Sequence, residues 1–88
     1  MSALSPDEVL EIVRSAVVTV LEVDPSTVDR DSRLVEDLRA DSLALVEIVE
    51  IVEEQLMPLA PPGFRIADED LDAIATVGEA VDYAVARL

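Results

Sequence analysis

Val9, Val13, Ala16 and Val20 recur at the spacing of one helix face, with Ile12 and Val17 beside them, while Glu11, Arg14 and Glu22 fall away from the stripe. Ahead of this run, Ser5-Pro6-Asp7-Glu8 reads as a helix start: Ser5 caps, Pro6 takes the first helical position and Glu8 completes a capping box. The pattern predicts a first helix over residues 6–21, ended by Asp24-Pro25. A long polar connection follows over residues 23–40, with turn chemistry at Asp24-Pro25-Ser26 and Asp29-Arg30-Asp31-Ser32. A loop of this length is uncommon unless it is functional or packed by its own side chains. Its spaced apolar residues, Val28, Leu34, Val35 and Leu38, are expected to pin it across the helix ends.

Leu45, Ile48, Val49, Val52 and Leu56 fall within a narrow arc at ~100° per residue, which predicts a second helix from residue 41 or 42 to about 56. Opposite the stripe lie Glu47, Glu50 and Glu54, with Glu53 to one side, Leu43 in the middle of the acidic face and Val46 at its edge. Pro58, Pro61 and Pro62 then break the helix, and Pro62-Gly63 is a turn pair. Phe64 and Ile66 are expected to tuck this segment onto the core. Residues 68–74 suit one or two helical turns with an acidic start. Thr76-Val77-Gly78-Glu79 repeats the capping-box pattern, and Val77, Val81, Ala84 and Leu88 give the stripe of a last helix. No run follows a strand period. The expected fold is all-α: a small four-helix bundle with three main helices, one short helix and a long loop between helices one and two. Residues 1–88 form a single domain in this reading, with no internal repeat.

Composition narrows what such a bundle does. Hydrophobic residues make up 51% of the 88 residues but aromatics only 2%, so the core is aliphatic. Cysteine and histidine are both absent, which removes the thiol nucleophile, the commonest general base and the usual nitrogen and sulfur metal ligands. This argues against an enzyme. The net charge of −14, from 20 acidic and 6 basic residues, repels nucleic acid and anionic membrane and attracts proteins with basic patches. The start Met1-Ser2-Ala3-Leu4 has no signal character, and no stretch approaches the ~20 apolar residues of a membrane span, so a cytoplasmic monomer is expected.

The candidate chemistry centres on Ser42. A serine there is explained by the general preference for Ser and Asp near helix N-termini. The same helix end, with unpaired amides and a positive dipole, also favours a phosphate built on the hydroxyl. Glu47–Glu50, Glu50–Glu53 and Glu50–Glu54 are like-charge neighbours, each costing the helix about 0.2–0.5 kcal/mol at low salt. A solvated surface or a docking face explains them, and Leu43 and Val46 as apolar contacts favour docking. Asp68, Glu69, Asp70 and Asp72 do not match a calcium-loop spacing, and no specific metal site is expected.

Leu38-Arg39-Ala40-Asp41-Ser42-Leu43 resembles the L-G-[AG]-D-S-L signature of acyl carrier proteins. The likeness extends to residues 31–38 as the loop before the attachment site and to Val46-Glu47-Ile48-Val49 with Glu53-Glu54 as the recognition helix. Residues 66–71 resemble the short third helix and residues 76–83 the last helix. The resemblance implies that Ser42 accepts 4′-phosphopantetheine from coenzyme A through a magnesium-dependent phosphopantetheinyl transferase. The terminal thiol would carry acyl groups as thioesters, sheltered transiently between the helices. Acyl-loading, condensing or tailoring enzymes with basic patches would dock on Asp41, Leu43, Val46, Glu47 and Glu54. Three departures stand out. Arg39 replaces the usual glycine, placing a positive charge where it can contact the phosphate or change which transferase docks. Glu50 stands where an apolar contact is common, and both Arg39 and Glu50 are counted with the docking residues. The connection over residues 57–65 is long and proline-rich, which bears on the mouth of an acyl cavity. With Asp-Ser-Leu-Ala-Leu, these departures tilt the reading toward polyketide or other specialised biosynthesis. The alternatives are a housekeeping fatty-acid carrier, a free-standing peptidyl or aminoacyl carrier, and an acidic helical adaptor without a prosthetic group.

Overall fold

A computed structural model of the chain describes residues 4–60, 66 and 68–88. It contains three α-helices, α1 (Pro6–Leu21), α2 (Ser42–Leu56) and α3 (Val77–Arg87), and short 3-10 segments at Pro25–Thr27, Met57–Leu59 and Asp68–Ala73. Among the described residues there is no strand, only an isolated bridge between Arg33 and Thr76. This is the all-α arrangement expected from the periodicity, with the fourth, short element realised as 3-10 turns. The sequence expectations at Pro61, Pro62, Gly63 and Phe64 lie outside the described residues, as do the side chains of Asp68, Glu69 and Asp72. No helix of the described residues is long and apolar enough to cross a membrane.

The helix starts are set by local hydrogen bonds. The Glu8 amide donates to Ser5 Oγ at 3.2 Å, and the Ser5 amide donates to Glu8 Oε1 at 2.8 Å. At α3 the Glu79 amide donates to Thr76 Oγ1 at 3.1 Å and the Thr76 amide to Glu79 Oε1 at 3.0 Å. Helix α1 ends on Glu22, whose φ of 56° turns the chain through the left-handed region. Asp24 then caps the turn at Pro25–Thr27, accepting from the Ser26 amide at 2.9 Å and the Ser26 hydroxyl at 2.8 Å. Those two donors hold its carboxyl below the ordinary 3.8.

Helix α1 lies against both α2 and α3. Its Val9, Val13, Ala16 and Val17 meet Ile48, Val52 and Leu56 of α2 and Val77, Val81 and Ala84 of α3 in one buried aliphatic cluster. Burying each Val, Leu or Ile side chain stabilises the fold by about 1.5–3 kcal/mol. The connection between α1 and α2 contributes Val28, Leu34 and Ala40 to the same cluster, and Leu38 packs partly buried at its edge. Val35 does not pin the loop as expected: it is 57% exposed. The reason is geometric. Residues 33–38 form a helix-like turn, with the amides of Asp37 and Leu38 both donating to Arg33 O, so only one side of the turn faces the core. Leu34 takes that side and Val35 points outward.

Polar contacts complete the anchoring. Arg14 Nε donates to Val28 O at 2.9 Å, so this residue of α1 ties down the loop. Ser32 is buried and its hydroxyl bonds Thr27 O and the Asp29 amide, each at 3.0 Å. Leu34 N donates to Ala75 O at 2.9 Å, while Val77 N donates to Ser32 O at 3.0 Å and Gly78 N to Arg30 O at 2.9 Å. No buried side-chain nitrogen or oxygen of the described residues lacks a partner. The bond from Gly78 requires a close approach. A Cβ at that position would stand 2.9 Å from Arg30 O, which explains the glycine.

Candidate functional site

The N-terminus of α2 is built outward from a buried anchor. Ala40 is 2% exposed and its amide donates to Leu34 O at 2.9 Å, fixing the chain immediately before the helix. Asp41 follows in an extended conformation as the N-cap. Its carboxylate accepts from the Ala44 amide at 2.8 Å, and its carbonyl accepts the first helical bond from Leu45 N at 3.0 Å. Ser42 is the first helical residue and is exposed, as is Leu43 at 70%. The amides of Ser42 and Leu43 have no protein acceptor among the described residues. An accessible hydroxyl therefore stands at a helix end with two open donors, the arrangement that favours a phosphate.

Arg39 enters this turn with a φ of 62°. In the left-handed region a Cβ crowds the following carbonyl, so glycine is the default occupant. The guanidinium is exposed and has no carboxylate partner among the described residues, in contrast to Arg14, Arg30, Arg33 and Arg87.

Below Ser42 runs the acidic side of α2. Leu43, Val46, Glu47, Glu50 and Glu54 are all exposed and, at ~100° per residue, span an arc of about 100°. Glu47, Glu50 and Glu54 rim an open groove of about 380 Å³ against Thr19 and Val20 of α1, with Ile51 in its floor. Of the residues singled out in the sequence, Leu43, Val46, Glu47, Glu50 and Glu54 thus share one exposed strip, and Arg39, Asp41 and Ser42, also exposed, lie at the helix start ahead of it.

Glu53 separates from the other glutamates. It is half-buried, and its Oε2 accepts from the Ile66 amide at 2.6 Å, tying α2 to the segment beyond the prolines. Ile66 itself is buried, as expected. The sequence placed Glu53 beside the acidic face but carried no signal for this contact. Asp70 is a second residue whose role was not legible. It accepts from the Tyr83 hydroxyl and stands 3.5 Å from the Arg87 guanidinium, which lies over the Tyr83 ring at 3.6 Å. One carboxylate of the acidic run over residues 68–72, where no specific metal site was expected, is therefore a tie between the short element and α3.

Between the helices lies an aliphatic cavity of about 30 Å³, lined by Val13 of α1, Leu45, Ile48, Val49 and Val52 of α2, and residues including Ile66, Leu71 and Tyr83. That is room for roughly two waters. The partly buried half of the predicted α2 stripe, Leu45 and Val49, faces it.

Comparison with known proteins agrees with this geometry. The family model described as a phosphopantetheine attachment site matches residues 11–84. The chain is 44% identical over 71 residues to an acyl carrier protein of Sulfurovum sp. (strain NBC37-1), covering 81% of this chain and 87% of that one. It is 37% identical over 84 residues to an acyl carrier protein of Thermotoga maritima, covering 96% of each. A solved acyl carrier protein from Enterococcus faecalis superposes with a TM-score of 0.73 at 32% identity, covering 97% of this chain and all of that one. An open helix start bearing a serine, a helical frame shared with a solved carrier and a family match along most of its length together make this chain a member of the acyl carrier protein family, whose prosthetic group is covalently attached 4′-phosphopantetheine.

Proposed function

We propose that Ser42 is the attachment residue and that the chain works as a cytoplasmic, monomeric carrier in polyketide or other specialised biosynthesis. The single observation that carries the attachment assignment is the exposed Ser42 hydroxyl beside the open amides of Ser42 and Leu43. The prosthetic group supplies a thiol that holds acyl groups as thioesters; the chain, which has no cysteine, provides none of its own. The residues around it have other tasks. Ala40 and Asp41 fix the direction in which Ser42 points. Leu43 and Val46 offer apolar contact to a docking enzyme, and Glu47, Glu50 and Glu54 attract its basic rim. The interhelical cavity is too small for an acyl chain at rest, so sheltering one requires the side chains around Leu45, Val49 and Leu71 to move apart.

The preference for specialised biosynthesis rests on Arg39 in place of glycine, on Glu50 within the docking strip and on the proline-rich connection over residues 57–65. The test has two stages. Intact mass after incubation with coenzyme A, magnesium and a broad-specificity phosphopantetheinyl transferase is expected to rise by one phosphopantetheine in the parent and not in Ser42→Ala. The malonyl-loaded protein is then offered to condensing enzymes of fatty-acid and of polyketide synthesis. Elongation by the polyketide enzymes and poor use by the fatty-acid enzymes is expected. Efficient fatty-acid elongation would reverse that assignment and leave the attachment residue intact.

A further inference from the structure

Four of the five described arginines are committed to carboxylates: Arg14 to Glu11, Arg30 to Asp82, Arg33 to Glu36 and Arg87 to Asp70. Arg39 is exposed and pairs with none of the described residues, although the chain carries 20 acidic residues against 6 basic. Asp41, two residues away, turns its carboxylate to the Ala44 amide. The backbone at Arg39 has a φ of 62°, a conformation disfavoured for any residue with a Cβ. An uncommitted guanidinium on disfavoured backbone is difficult to explain by the stability of the polypeptide alone.

Its place supplies an explanation. Ala40 is buried and anchored on Leu34 O, so the path from Arg39 to Ser42 is fixed. Three residues span at most about 10–11 Å. Arg39 and Ser42 are both exposed, and an extended arginine side chain is long enough to reach across that span toward a phosphodiester on Ser42. A phosphate added there stands next in sequence to Asp41 and joins a molecule already at −14. A fixed positive charge nearby offsets the repulsion, and guanidinium forms paired hydrogen bonds with phosphate oxygens.

We infer that Arg39 pairs with the phosphodiester of the prosthetic group on Ser42. The inference rests on the Ser42 assignment above. Apo and holo forms of the parent, Arg39→Lys and Arg39→Gln provide the test, with peptide mass mapping first locating the added group. Attachment is expected to raise the melting temperature of the parent by about 2–4 °C more than that of Arg39→Gln at low salt, the shift appropriate to an exposed ion pair in a domain of this size. Arg39→Lys should retain part of that difference, and 0.5 M salt should erase it. The Arg39 Nε–H resonance is expected to move between apo and holo parent. An equal increment in Arg39→Gln, or an Nε–H resonance unchanged on attachment, overturns the pairing and leaves Arg39 as a contact for partner enzymes. A group mapped to a residue other than Ser42 overturns the attachment assignment itself, and the pairing with it.

Discussion

Helices α2 and α3 begin in opposite ways. At α3 the first three amides are all occupied: Val77 by Ser32 O, Gly78 by Arg30 O and Glu79 by the Thr76 hydroxyl. Glu79 closes the box by accepting from Thr76 N, and the start is welded to the loop that arrives from α1. At α2 the position matching Glu79 is Ala44, which has no side-chain acceptor to reach back with. Asp41 satisfies the Ala44 amide, and because no carbonyl of the described residues arrives as Ser32 O and Arg30 O do at α3, the two amides ahead of it stay open beside an exposed serine. A capped helix start becomes a structural joint where loop carbonyls reach its first two amides, and stays favourable to a phosphate where none of the described residues reaches them. The start of α3 is tied into the fold, and the start of α2 carries the proposed attachment residue.

The sharpest separation of the two starts is Ser42→Ala. Modification, followed by intact mass, is expected to fall to zero. Ser42 is exposed and does not cap the helix, so unfolding by denaturant should shift by no more than about 0.5 kcal/mol. At the other start the outcome reverses. Gly78→Ala drives a Cβ to 2.9 Å from Arg30 O, and backbone cannot yield as a flexible side chain can. The expected loss is about 1–3 kcal/mol by denaturant titration, with Ser42 still modified to completion. Thr76→Ala removes the cap hydroxyl and should cost about 1 kcal/mol, again without effect on modification.

A smaller effect of the opposite sign is expected beside Ser42. Arg39→Gly relieves the backbone at φ 62° but loosens the unfolded chain, so the apo protein should gain between zero and about 1 kcal/mol. A clear loss of apo stability would show that the Arg39 side chain has a structural contact. The smallest effect belongs to Asp24. Its carboxyl titrates below 3.8 in the fold, so its contribution is present above that value and fades as pH falls through the lower folded one. The stability difference between the parent and Asp24→Asn should be constant at neutral pH and shrink in acid melting experiments below about 3.8. A difference that grows on acidification would contradict the Ser26 contacts as its cause.

The helices were legible because their signals are local. The expected first helix at residues 6–21 coincides with α1, the second with α2 and the last with the Thr76 start of α3. Each boundary is written in a cap, a proline or a break in the apolar period within a few residues of where it acts. The strip from Leu43 to Glu54 was also legible, since helical spacing alone puts it on the side away from Ile48, Val52 and Leu56, whereas Ser42 falls beside that stripe and is exposed because it stands at the helix end. Val35, Glu53 and Asp70 were not. Val35 has the same apolar character as its neighbour Leu34, and only the turn over residues 33–38 decides which of the two faces inward. Glu53 differs from Glu54 only in that the Ile66 amide arrives beside it.

The sequence by itself determined the helices, the acidic strip and the Asp41 cap beside Ser42, because each depends on residues within about one turn of one another. Tertiary structure decided which charges were committed. It seated Asp70 on Tyr83 and Arg87 and drew Glu53 to Ile66, while Arg39 remained without a carboxylate among the described residues. Partners distant along the chain are chosen by packing, and packing is settled only when α1 draws α2, α3 and the long loop onto one core.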